Sequence, residues 1–176
     1  MPNTSSAPST YRPRPASRRA EVLAGRIEEG AAKLAEFVKG LSDAQWRQPV
    51  SATDRRPVGV VVHHVAFIYP IEIEAARAIA RGEAVETAWP AIAELNARHA
   101  AENPEVAKDA ALETLARNSR DAAAAVRAFT DEELDRAASF GLSDGATVTA
   151  QYVIEDHAMR HAWHHLAKIR EAVGRA

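Results

Sequence analysis

The sequence contains no cysteine. Disulfides, thiolate metal sites and a cysteine nucleophile are therefore excluded, and any metal site must be built from His, Asp, Glu and water. No long basic run is present and the formal net charge is −2, which argues against nucleic acid as a partner. β-Branched runs are few and alanine is abundant, which favours helices over sheet. Residues 1–17 lack the apolar centre of a signal peptide. No window approaches the length of a membrane span, so the expectation is a soluble, cytoplasmic protein with no membrane partner. What remains is 176 residues, 47% of them hydrophobic, enough for one domain with a substantial core.

Periodicity divides the chain into helices. Residues 1–17 carry Pro2, Pro8, Pro13 and Pro15 and show no repeat, which predicts a flexible tail ahead of a single domain at 18–176. From Arg18 to Leu41 the apolar residues Ala20, Leu23, Ala24, Ile27, Ala31, Leu34 and Val38 recur at helical spacing, with Ser17 as N-cap. A second helix runs from about Val58 to Arg81. Gly82 stops it, and Pro70 is expected to kink or divide it. A third is expected at Thr87–His99 with Pro90 in its first turn, and a fourth at Asp109–Phe129. Thr130 and Glu133 form a capping box, and 140–147 reads as a loop. Gln151 to Val173 holds no Gly or Pro and is expected to be one helix. The fold class is all-α, a helical bundle.

Four of the seven histidines lie within residues 155–165. His161 and His165 are one turn apart on one helical face, as are His157 and His161. On a helical wheel His165 falls inside the apolar stripe of Ile154, Ala158, Ala162, Ile169 and Val173, and His161 lies at its edge. His157 and His164 fall on the other side and look peripheral. On the second helix His64 is central to the face carrying Val60, Val61, Ile68, Ile71, Ala75 and Ala78, while His63 is roughly 100° away. Buried imidazoles with nothing to bond are costly, so a metal or polar partners should await them. One inward His from the second helix and two from the last make three nitrogen ligands with a fourth position open, the form of a catalytic zinc-type site. Zinc, nickel and iron(II) all suit imidazole.

Two stretches also resemble a known family. Pro57 to Ala66, with the His63-His64 pair, is similar to the first metal motif of the DinB/YfiT-like superfamily. His161 to Ala172, a spaced His pair followed by Lys168-Ile169-Arg170, is similar to the second. The resemblance extends over most of residues 18–174. It implies a four-helix bundle holding one divalent ion through His64, His161 and His165. It also implies an activity among thiol-dependent S-transferases and isomerases, which use a low-molecular-weight thiol as cofactor, or among metal-dependent hydrolases. His63, at a position variable in the family, and Pro70 depart from its commonest pattern.

The expected function is therefore a metal-dependent enzyme that adds or transfers a small thiol to an electrophilic small-molecule substrate. Hydrolysis by metal-activated water is the chemical rival, and a non-enzymatic metal-binding bundle is the rival of another class. Hydrolysis needs a general base, and neither Glu155 nor Glu72 is convincingly placed, Glu72 lying about 12 Å along its helix from His64. Ala110, Ala123, Ala124 and Ala125 add small apolar surface to the fourth helix, on which a homodimer is expected.

Overall fold

The computed structural model describes residues 17–174. The tail expected at 1–17 lies outside the described residues, except for Ser17. α1 (Arg18–Lys39) opens where the Ser17 hydroxyl accepts from the Ala20 amide at 3.0 Å and buries the apolar stripe read from its spacing. A short α2 (Asp43–Arg47) is opened by a capping box between Ser42 and Gln45. α3 (Val58–Ala80) and α5 (Lys108–Arg127) form the centre of the bundle. α1 packs along α5, and α8 (Arg160–Gly174) packs against α1 and α3. α4 (Trp89–Glu102) rests chiefly on α3, and α6 (Asp131–Asp135) follows the Thr130–Glu133 capping box.

α3 is long and apolar enough by length and composition to cross a membrane, contrary to the sequence reading. Its apolar window is 67% buried inside the bundle, where Val58, Val62, Val65, Tyr69, Ile73 and Ile79 join the core. The downstream half of the face centred on His64 behaves differently. Ile71 and Ala78 leave the core and line a cavity, and Ala75 borders both.

Pro70 does not divide α3. A proline has no amide hydrogen, so the carbonyl four residues earlier loses its partner. That carbonyl belongs to Ala66, and the Asn118 side chain of α5 donates to it at 2.8 Å. The interruption is repaired from the neighbouring helix, which also latches α3 to α5. Gly59 allows a second close approach. A Cβ there would stand 2.5 Å from the Trp46 indole, whose Nε1 donates to the Val106 carbonyl at 2.8 Å.

Two features near the C-terminus go beyond the sequence reading: the loop expected at 140–147 is the connection of a hairpin, and the last helix carries an irregular turn. Residues 137–149 form a hairpin, β1 (Ala137–Ser139) antiparallel to β2 (Thr147–Thr149). Three-residue strands are too short to show alternation, and Asp144 and Gly145, both left-handed (φ 53 and 75), make its turn. The last helix is not uniform either. α7 (Ala150–Val153) passes through a π-helical turn at Ile154–Met159 before α8 begins. A π turn inserts one residue per turn relative to an α-helix. Residues before Ile154 are therefore rotated by about 100° from where a straight wheel puts them, and those inside the turn by part of that. Of the alanines expected to form a second stripe on α5, Ala123 is buried in the core, while Ala110 and Ala124 are exposed.

The Asn118 latch has a measurable signature. Asn118→Ala leaves a buried carbonyl unpaired and is expected to cost about 1–3 kcal/mol. In a Pro70→Ala background, where an in-helix donor is restored, the same change should cost markedly less. Urea unfolding of the four proteins in this cycle measures the coupling, and simple additivity would reject the latch.

Candidate metal centre

The three histidines singled out by the wheel meet at one point. His64 comes from α3 and His161 and His165 from α8, and one nitrogen from each lies within 4.8 Å of the other two. The Nε2 atoms of His64 and His161 are 3.2 Å apart. Two ligands on a tetrahedral ion at about 2.05 Å would stand about 3.3 Å apart, so this edge already has the span a metal requires.

A carboxylate sets the tautomer. Glu72, buried on α3, accepts from His161 Nδ1 at 2.6 Å. With the proton held at Nδ1, the His161 Nε2 lone pair points toward His64. Burial keeps the other two rings neutral. His64 is pushed down to about 3, by desolvation first and then by the charges of His161 and Arg56. His165 is held well below its ordinary value, again by desolvation first and then by His161 and His64. All-imidazole donors of this kind fit a divalent ion of the zinc, nickel or iron(II) type. Only His161 of the three has a carboxylate on its second nitrogen. The Nδ1 atoms of His64 and His165 are buried without a hydrogen-bond partner.

The neighbouring histidines divide. His164 is exposed, edge-on to His165, as expected. His63 turns aside to His99, with Nδ1 and Nε2 3.0 Å apart. His157 is not peripheral: the π turn carries it to a half-buried position edge-on to Phe140, at 5.2 Å between ring centroids. Sequence reasoning missed two residues. Glu72 is remote from His64 along α3, and its partner is His161 on another helix. His99 is buried on α4 against His63 and Phe67, and nothing in the mostly exposed pattern of that helix marks it.

The histidines open on a cavity of about 940 Å³. One end is apolar, with Ile71, Val85, Trp89, Ile92, Phe140 and Leu142. Backbone bonds between Val85 and the hairpin, Val85 N to Ser139 O at 2.9 Å and Gly141 N to Val85 O at 2.8 Å, close this end. Gly141 permits it, since a Cβ there would meet the Thr87 carbonyl at 2.3 Å. Arg56, Arg160 and Lys168 also line the cavity.

A family model of the DinB superfamily matches residues 26–169. The chain belongs to the DinB superfamily. Among solved structures it is similar to YfiT from Bacillus subtilis, described as a probable metal-dependent hydrolase with an unusual four-helix bundle topology. The two are 22% identical with a TM-score of 0.72, over 94% of this chain and 93% of that one. At that identity the likeness establishes the shared DinB-type bundle, not the chemistry. No curated protein matches the chain.

Replacing a ligand differs from replacing its support. His64→Ala, His161→Ala and His165→Ala should each lower metal affinity by orders of magnitude, because two imidazoles hold a divalent ion poorly. Glu72→Gln should cost about 10- to 100-fold, while His63→Ala and His164→Ala should keep the metal. Metal content and affinity across the series decide it, and a full site in His64→Ala would refute the assignment.

Acid should also act on the metal-free protein. Folded-state values lowered to about 3 for His64 and about 4 for His99 mean that, below the ordinary 6.5, the unfolded chain binds protons the native one does not. Stability is then fully present above about pH 6.5 and falls as pH drops toward 4. Urea midpoints at about pH 7.5 and about pH 5 test this, and equal midpoints would contradict buried neutral rings.

Proposed function

We propose that this chain is a divalent-metal-dependent enzyme that directs a small nucleophile, a low-molecular-weight thiol, onto an electrophilic substrate held in the cavity. One observation carries the reading: His64, His161 and His165 converge at a cavity wall rather than inside the sealed core. Structural sites are closed by four protein ligands, whereas three ligands facing a cavity leave a position for a reactant. When bound, a divalent ion there supplies Lewis acidity, lowering the pKa of a thiol or water that completes its sphere.

The protein's own groups supply the rest. Glu72 holds His161 in one tautomer and orientation. The apolar walls at Ile71, Ile92 and Phe140 exclude water from the substrate. His157 lines the same cavity, and burial lowers its pKa. On this reading it is the group that takes up a proton from the incoming nucleophile.

Water as the nucleophile is the second reading. The second oxygen of Glu72 is buried without a partner, a carboxylate atom available to receive a proton, and YfiT carries the hydrolase description. Protein purified under mild conditions should hold about one divalent ion per chain, as a single three-histidine set implies. Metal-loaded protein should turn over activated alkyl or aryl halides only with an added thiol. Ester or amide turnover with no thiol would transfer the assignment to hydrolysis. Neither activity in fully loaded protein would remove the enzyme reading.

A further inference from the structure

The two ends of the cavity differ in charge as well as polarity, with the three histidines between them. His157 and Phe140 mark the apolar end. At the other end, Arg56 lies just ahead of α3, and Lys168 lies one turn beyond His164 on α8. Arg56 and Lys168 line the same cavity, and the Asp54 carboxylate bonded to Arg56 also feels the charge of Lys168, so the two cations share one corner.

Their partners are unequal. Arg56 is held by Asp54 through two bonds, Nε to Oδ1 at 2.9 Å and Nη2 to Oδ2 at 2.7 Å, a fork that fixes the guanidinium. Its charge reaches inward, since it lowers His64, His165 and His99. Lys168 makes no ion pair with any described residue, although it is felt at His164. The other acids of the cavity are engaged or distant. Glu72 is on His161, Glu74 on Arg81, and Asp156 on Arg160 and His157. Glu86 sits beside Val85, at the apolar end. The Arg56–Lys168 corner therefore keeps one positive charge unanswered, next to a pre-oriented guanidinium.

We propose that this corner is a carboxylate-binding subsite, and that the substrate is an apolar monocarboxylate lying along the cavity. Its acid group sits at Lys168 and Arg56, its reactive carbon over the histidines, and its alkyl or aryl body against Ile71, Ile92 and Phe140. A single uncompensated charge matches a carboxylate better than a doubly charged phosphate. This assignment of substrate class rests on the reading of the histidines as a metal centre, but its test does not.

The probes are 4-phenylbutyrate and its neutral isostere 4-phenylbutyramide. Binding is followed by calorimetry and by fluorescence of Trp89, which lines the cavity and is 56% exposed. The full-length protein is used metal-free, so that a carboxylate cannot be drawn by an ion, and then metal-loaded. In the metal-free protein the acid should bind about five- to tenfold more tightly than the amide, roughly the range of an exposed charge pair and above. The preference should shrink with added salt. Lys168→Gln should erase it and Lys168→Arg should retain it. Lys168 is exposed, so unchanged unfolding midpoints will show that both variants fold. Equal binding of acid and amide, a preference surviving Lys168→Gln, preference only in the loaded protein, or no binding of either compound would each overturn the proposal. A protein that shows the preference yet takes up no metal would keep the subsite and reject the metal centre.

Discussion

A carboxylate on one helix holds the ring of a histidine on another. The bond between Glu72 and His161, at 2.6 Å, decides which nitrogen of His161 carries the proton, and so decides what the ring offers to His64. The arrangement requires α3 and α8 to keep one spacing and one rotation. Both are set by the apolar stripes that bury Val62, Val65 and Tyr69 on one helix and Ala162, Leu166 and Ile169 on the other. Three imidazoles pressed together would otherwise be a liability. Each is a polar group withdrawn from water, and two of them leave a nitrogen without a partner. A bound ligand would offset that cost.

The same constraint explains why part of the centre was legible in the sequence. His64, His161 and His165 each lie in an uninterrupted stretch of α-helix, so a wheel gives their direction correctly. His157 lies inside the π turn, where the wheel drifts out of phase. Glu72 is roughly 80° around α3 from His64, outside the narrow apolar stripe, and its role is decided by a residue 89 positions away. No periodicity within one helix can report that. The bundle itself was readable because long apolar repeats on α1, α3 and α5 leave few alternatives, whereas the hairpin hides in strands of three residues.

Pro70 shows a different limit. Read locally, a proline in the middle of a helix predicts a kink or a break. The break is absent because the lost donor is replaced from outside the helix, by Asn118 on α5. Ile71, next in sequence, then faces the cavity rather than the core. Tertiary partners override the local rule, and the helix that the proline interrupts is the one that carries both His64 and Glu72.

The hairpin separates shape from chemistry. The far wall of the cavity is made by Val85, Phe140 and Leu142, which stand on a loop and a two-stranded ribbon tied by backbone bonds. The histidines stand on helices. Insertions or deletions in the ribbon can therefore lengthen, shorten or reopen that wall while the bundle and its imidazoles stay where they are. A lineage could shift from short to long substrates by trading residues around Asp144 and Gly145 alone, and an engineer wishing to widen the reach of this scaffold would begin at the same turn.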